Sequence, residues 1–491
     1  MSAQFVTSPA LAGGDRHSLA LKADGTVLAW GWNWNGQLGL GSTAQQTTPQ
    51  PVPAAQLNQV TAVACGTGFS LALRADGTVW AWGCNYAGQL GLGHTQDRHV
   101  PTQIPTAFLN DVSAIAAGGQ FAMALLNDGS LRTWGANWFG QLGLGDLIPR
   151  LVPTSIPSAT LSGAVAIDAG CNHGAALLAD GSLRVWGSNL WAQLGQGNYT
   201  DQLSPVVLTL AAGATAASIK AGEFHTQAMA QDHTIFSTGI NSAAQLGLGN
   251  TSPVVIPTAL SGSSALNAVL FLGGESHTLG LTADGRLLGW GGNWHGQLGI
   301  GDTLLRTTPT LVPASLIQDI LILATGHSHG LALAADGALR AWGANYNGQL
   351  GTGDTSNRVV PTVIIPNFAP SQFTLRVLTS PGLIRVQRKY GPPFHWAFNV
   401  FTLESQSAPS PGAIPWLGLL AQPAEVFAWQ NFALAGHPLA AAVLDAAGFS
   451  EYALGLDPGV LAGITVHGKA WAIEVLAGAI AAASPVMTVS F

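Results

Sequence analysis

Charge is scarce in this chain. Only 8% of its 491 residues are Asp, Glu, Lys or Arg, against about 25% in average soluble proteins. The 17 basic residues form no cluster, and the net charge is −7. Nucleic acid needs several phosphate contacts from Lys and Arg, so it is not expected as a partner. Cysteine is nearly absent: Cys65, Cys84 and Cys171 make no metal-ligand pattern and cannot all pair. Cys65 and Cys84 fall in one repeat and could lie on neighbouring strands, but the expectation is buried thiols. No run of about 18 apolar residues is free of charge, so no membrane span is expected. The opening MSAQFVTSPALAGG has neither the basic nor the apolar region of a signal peptide. No nucleophile elbow, phosphate loop, zinc pattern or calcium loop stands out. The expectation is a non-enzyme without catalytic, cofactor-binding or metal-binding residues. A surface poor in Lys and Glu is solvated by Asn, Gln, Ser and Thr, which favours an extracellular or surface setting, or dense assembly.

Repetition is what the chain has instead. The stretch DGTVLAWGWNWNGQLGLG at 24–41 returns as DGALRAWGANYNGQLGTG at 336–353, with five more versions between them. Asp24, Asp76, Asp128, Asp180, Asp232, Asp284 and Asp336 are spaced by 52 residues without a slip. A fixed period of this size marks a repeat architecture. Each unit reads as four short strands. An apolar run such as VTAVACG (60–66) comes first, then a strand entering an Asp-Gly turn, where a type I′ hairpin needs positive φ at both central residues. A third strand ends in Trp-Gly, at Trp30, Trp82, Trp134, Trp186, Trp290 and Trp342. The fourth lies in a proline-studded link such as TTPQPVP (47–53), and proline suits an edge. One four-stranded sheet cannot hide both faces, so neighbours must stack. Radial stacking gives a β-propeller, and the ordinary first and last copies favour closure over an open solenoid with polar caps.

The unit G-x-x-H-x-x-A-L-x-x-D-G-x-x-x-x-W-G-x-N-x-x-G-Q-L-G-x-G resembles the repeat of the regulator of chromosome condensation family over about residues 1–365. The resemblance implies a seven-bladed propeller with one blade completed by both chain ends. Copy five carries His233 for the turn Gly and Thr238 for Trp, and its blade is expected to be the least regular. Residues 366–491 lack the repeat and alternate apolar and polar positions in QFTLRVL (372–378), HWAFNVFTL (395–403), GITVHGKAWAIEV (463–475) and SPVMTVSF (484–491). They read as a second, β-sandwich-like domain, in which LAAAVLDAAG (439–448) reads alternatively as a helix. The fold expectation is all-β throughout.

Three recurrent positions carry polar or aromatic groups. His17, His173, His225, His277 and His329 recur, with Phe69 and Phe121 in the other copies. A ring of imidazoles suggests a metal or acid–base site, but Phe fills space without ligating, so packing is preferred. Asn33 and Gln37 have equivalents in every copy, as expected of amides that tie an irregular loop to backbone. The residue after that Asn is Trp34, Tyr86, Trp138, Trp294 or Tyr346, but Leu190 and Ser242 in copies four and five, with Trp191 adjacent in copy four. Ser242 shows that the turn does not need an aromatic. Such side chains anchor interfaces or stack on sugars, unless they tuck into the next blade.

The loop before the histidine varies freely, from Asp15-Arg16 through Glu223-Phe224 and Glu275-Ser276 to His327-Ser328. Variation on a fixed scaffold is where partner contacts reside. The candidate contacts are therefore Trp34, Tyr86, Trp138, Trp191, Trp294, Tyr346, Glu223 and Glu275. The family resemblance implies several roles. Nuclear members exchange guanine nucleotide on the small GTPase Ran and use a basic arm at nucleosomes, an arm this N-terminus does not show. Light-sensing members place Trp where this chain has Asp15, Thr67, Gly119, Cys171, Glu223, Glu275 and His327, so photoreception is not implied. A β-lactamase inhibitor of the same form simply presents loops. The favoured expectation is a non-catalytic module for binding protein or assembling with itself. The alternatives are a lectin and a nucleotide-exchange regulator.

Overall fold

The computed structural model describes residues 10–368, apart from 23 and 54–56, together with strands between 374 and 490. Two compact units separate, one spanning Val6–Ala369 and the other Met1–Phe5 with Pro370–Phe491.

The first unit holds seven four-stranded antiparallel sheets, each in simple sequential order. Blade 1 is built from Leu11–Gly13, His17–Leu21, Val27–Gly31 and Gln46–Pro51, and blade 7 from Ile320–Thr325, His329–Ala334, Leu339–Gly343 and Arg358–Ile365. Among the described residues every blade is one contiguous stretch of chain, and no blade is shared between the two ends. Closure rests on side-chain and backbone hydrogen bonds between blades 7 and 1. Trp30 Nε1 donates to Gln349 O at 2.8 Å, as Trp82 Nε1 donates to Gln37 O between blades 1 and 2 at 2.8 Å. Ser18 Oγ donates to Gln349 O at 2.8 Å, and Gly353 N donates to Thr47 O at 2.8 Å. The joint at the chain ends repeats the joints elsewhere, so the ring needs no strand exchange.

Core formation happens between blades rather than within them. Trp134 of blade 3 is fully buried against Leu71, Leu73 and Val79 of blade 2, and all six Trp-Gly indoles are fully buried. A Trp of about 150–250 Å² at about 25 cal/mol per Å² contributes several kcal/mol. In blade 5, Thr238 Oγ1 donates to Ala192 O at 3.1 Å, so a hydroxyl takes over part of the indole's role. This blade keeps four strands and the common register, with Ser237 facing Thr258 and Gly239 facing Val254, but it is less regular than the others: Gly239 has φ +115°, against +96° to +102° at the equivalent glycines.

The Asp-Gly turns also differ from the expected type I′. In blade 2, Gly77 has φ of +77° while Asp76 is not among the positive-φ residues. Gly77 N donates to Arg74 O at 3.0 Å, and Thr78 N donates to the Asp76 carboxylate at 3.1 Å. The aspartate side chain holds its own backbone in an Asx-type turn, leaving only glycine in the left-handed region. His233 occupies that position in blade 5 at φ +65°. Its ring nitrogen lies 3.0 Å from Ala268 O.

In the second unit, Thr374–Ser380 pairs antiparallel with Leu383–Lys389 and with Val486–Ser490. Thr465–Gly468 pairs with Trp471–Glu474. The expected β-sandwich, the 395–403 strand and the alternative helix at 439–448 lie outside the described residues.

Candidate functional site: the loop face of the propeller

Alternating strand direction sorts the loops. The connections between first and second strands and between third and fourth strands emerge on one face, and the Asp-Gly turns on the other. The variable axial loops and the aromatic loops therefore share a face.

The recurrent amides build the aromatic loops, although the Nε2 groups of Gln37, Gln89 and Gln297 are buried without a partner. Asn33 Oδ1 accepts from Leu38 N at 2.9 Å while its Nδ2 donates to Ser42 O and Ala44 O, both at 2.9 Å. Gln37 Oε1 accepts from Asn35 N at 3.1 Å. Equivalent bonds recur down to Asn345 and Gln349 in blade 7. Both amides are buried in all seven copies. A loop clamped from beneath by its own backbone leaves the next side chain nowhere to pack.

That side chain points outward. Trp34 is 72% exposed, Tyr346 61%, Trp294 56%, Tyr86 54% and Trp138 49%. Trp191 is 48% exposed beside exposed Leu190. None tucks into a neighbouring blade. Tyr86 and Trp138 lie near parallel, with centroids 6.5 Å apart and planes at 15°, and Tyr346 meets His295 edge-on at 5.4 Å. With Ser242 and Ala243 in blade 5, the aromatic arc is open at one blade.

The recurrent histidines sit deeper, in the seams. His17 Nε2 lies 2.9 Å from Ser70 Oγ of the next blade, and that hydroxyl donates to Gln37 O at 2.8 Å. The network therefore assigns the ring proton to Nε2. His173 reaches Thr226 at 2.9 Å, His225 reaches Thr278 at 3.3 Å, His277 reaches Thr325 at 3.1 Å and His329 reaches Ser18 at 2.9 Å. All five rings are fully buried. Burial pushes the pKa of His17, His173, His277 and His329 down to about 3, and that of His225 to about 4. They are neutral pins between blades, as the Phe substitutions suggested. Among the described residues, no group of three or more His, Cys, Asp or Glu side chains has metal-site geometry. Cys65, Cys84 and Cys171 are all free thiols.

The axial loops hold what the sequence alone did not assemble. Their backbones link round the ring: Thr67 N donates to Gly119 O at 2.9 Å, Gly119 N to Cys171 O at 2.9 Å, and Cys171 N to Glu223 O at 3.1 Å. Glu275 N donates to His327 O at 3.0 Å and His327 N to Gly14 O at 3.1 Å. On this girdle, His327 Nδ1 lies 2.5 Å from Glu223 Oε1 and Nε2 lies 3.0 Å from Glu275 Oε2, with Asp15 Oδ1 at 3.8 Å from Nδ1. Each ring nitrogen faces a carboxylate, so the ring donates from both and is an imidazolium. Burial opposes that charge, but the bonds to Glu223 and Glu275 raise its pKa to about 10. The Glu275 carboxyl is held below its ordinary value, first by its bond to His327. Glu223 and Glu275 were singled out in the sequence, whereas His327 and Asp15 were read only as variable loop residues. The 52-residue register places all four at one position of the unit. No sequence rule indicates that a residue of blade 7 reaches one of blade 5.

A closed seven-bladed propeller whose side-chain roles repeat every 52 residues defines the class, that of the repeat propellers. The family model described as the RCC1-like domain matches residues 3–217 and 106–379. The chain is 33% identical over 370 residues to the ultraviolet-B receptor UVR8 of Arabidopsis thaliana, covering 74% of this chain and 84% of that protein. The chain belongs to the RCC1-like family. It is also 30% identical over 348 residues to the human E3 ubiquitin-protein ligase HERC2, covering 70% of this chain but only 7% of that protein. Prp20p of Saccharomyces cerevisiae, solved with its binding to Gsp1p and histones, superposes with a TM-score of 0.63 at 23% identity, covering 74% of this chain and 90% of Prp20p. Human WBSCR16 gives 0.62 at 23% identity, covering 69% and 94%. At that identity the two solved structures support the fold alone.

Proposed function

We propose that this chain is a non-catalytic protein-binding module that engages its partner through the loop face of the propeller. The observation that carries this reading is the exposure of Trp34, Tyr86, Trp138, Trp191, Trp294 and Tyr346, each 48–72% accessible. Their loops are held by Asn, Gln and backbone and do not need them. Large aromatics held rigidly at a surface lose little entropy on binding and supply the desolvated centre of an interface. Protein binding is the activity these exposed rings support.

The test is direct. Proteins captured from the native source by the full-length chain are identified by mass spectrometry, and purified candidates are titrated against wild-type and Trp34→Ala/Trp138→Ala protein. Loss of about tenfold or more in affinity is expected, as for aromatic anchors. Unchanged affinity for every partner rules the face out. Light scattering over a concentration series tests whether a second copy is that partner, and exchange assays with that partner, where it is a GTPase, test the regulator alternative.

A further inference from the structure

Six of the seven seams between blades hold a buried indole against the same glycine. A Cβ on Gly39, Gly91, Gly143, Gly247, Gly299 or Gly351 would meet the Trp ring of the next blade at 2.9–3.0 Å. The seam between blades 4 and 5 lacks that ring. Thr238 stands in its place, buried, with its hydroxyl 3.1 Å from Ala192 O and 2.9 Å from Val254 O. The equivalent glycine, Gly195, instead has Leu208 at 2.8 Å and Pro257 at 3.0 Å from its Cβ position. The other seams have the same walls behind their indoles: Ile104 and Leu260 beside Gly91 and Gly247, Pro101 and Pro49 beside Gly39 and Gly351. The walls are kept and the ring is missing. A pocket of about 350 Å³ lies at this seam, lined by Gly195, Leu210 and Pro257 and, at its exposed edges, by Val207 and Ile256. A second observation gives the pocket a polar group. Gln196 also lines it, where five other copies carry Leu or Ile and blade 7 carries Thr352. Its Nε2 donates to Leu194 O and to Val207 O, both at 3.0 Å. With both amide protons committed, Oε1 is left as an acceptor on the lining.

We infer that the seam between blades 4 and 5 binds a small planar aromatic molecule of indole size that carries an N–H. The ring enters between Val207 and Ile256, on the outermost strands, and packs on Gly195, Leu210 and Pro257. Its N–H donates to Gln196 Oε1. Where a large side chain is missing, the surrounding structure relaxes only partly and a cavity remains. An apolar cavity of about 150 Å³ is already enough to hold benzene. Apolar pockets of about 300 Å³ or more with a few placed polar groups are the ones that take small molecules. Gly195, with no Cβ, lets a flat ring lie against the backbone, as its six equivalents do for the chain's own indoles. The site does not use the exposed rings of the loop face, so it stands or falls apart from the protein-binding reading.

Titration of the full-length chain with indole, followed by calorimetry and ligand-observed NMR, tests it. Saturable one-to-one binding is expected. N-methylindole, which has no N–H, should bind about two- to tenfold more weakly, as for the loss of one hydrogen bond. Gln196→Leu should weaken indole by the same factor and bind the two compounds alike. Ile256→Glu puts a charge at the edge of the pocket and should weaken both about tenfold or more. Thr238→Trp restores the ring of the other seams and should abolish binding. Thermal melts report folding, and Ile256, a surface residue, carries the test where Thr238→Trp does not fold. Trp34→Ala/Trp138→Ala protein, which lacks two rings on which indole would otherwise stack, should bind it unchanged. No saturable binding to the wild type, binding indifferent to Ile256→Glu, or binding lost in Trp34→Ala/Trp138→Ala overturns the inference. Equal affinity of the wild type for the two compounds overturns recognition of the N–H by Gln196.

Discussion

His327 and His329 stand two residues apart in blade 7 and have opposite charge states. His329 is fully buried in the seam, and burial lowers its pKa to about 3. Its Nε2 lies 2.9 Å from Ser18 Oγ. His327 sits on the axial girdle between Glu223 and Glu275 with its pKa raised to about 10. The same side chain is an uncharged pin in one place and a fixed cation in the other. The difference follows from position in the 52-residue unit. The recurrent position faces the next blade, where only packing and a hydroxyl await. The variable position faces the axis, where loops of four blades converge.

That contrast is tested first by acid. A buried histidine protonates at about 6.5 when unfolded but at about 3 to 4 when folded. The unfolded chain therefore binds protons first, and stability falls as pH drops below about 6.5. Each buried ring loses at most about 2 kcal/mol between pH 7 and 5, so five should lower stability by several kcal/mol in urea unfolding. The turn aspartates stay ionised in this window. Asp128, for example, is held below its ordinary value first by its bond to the Ser130 hydroxyl. Replacing His173 by Phe, as blades 2 and 3 already do, should flatten the slope. Equal stability at both pH values would refute the neutral-pin reading.

Trp134→Ala opens a cavity in the seam between blades 2 and 3 and strands Gln89 O, which accepts from the indole at 2.9 Å. A loss of about 3–5 kcal/mol is expected by chemical denaturation. Asn137→Ala leaves Leu142 N, now bonded at 3.0 Å, buried without a partner. That should cost about 1–3 kcal/mol, and a neutral result would deny the amide its role as clamp. For His327→Gln the sign reverses. A raised pKa stabilises below the unfolded value near 6.5 and loses its effect as pH rises through about 10. With the ring about a third exposed, solvent screening limits the effect to about 1 kcal/mol or less at pH 6, shrinking towards pH 10. Trp34→Ala should change stability by less than about 0.5 kcal/mol while weakening partner binding, and a large stability loss would show that the ring serves the fold.

Much of this organisation is legible in the chain. The six Asp-Gly turns, the Trp-Gly strand ends and the Asn and Gln clamps follow from period and residue type, because a repeated residue in a repeated backbone meets the same neighbours each time. His233 and Thr238 looked like defects in blade 5, yet one left-handed residue and one hydroxyl suffice where the flanking blades set the register. The mode of closure was not legible, since nothing in residues 11–51 or 320–365 differs from the middle copies. The outward aim of Trp34 was left open because sequence does not distinguish a ring packed on a neighbour from one facing water.

The residues by themselves determined the unit, its number and the roles of whatever recurs, since period and side-chain chemistry are local properties. Tertiary structure alone decided which variable residues meet. Glu223, Glu275, His327 and Asp15 belong to four different blades, and they come together only because the blades close on a common axis, where residues more than a hundred positions apart lie within hydrogen-bond reach.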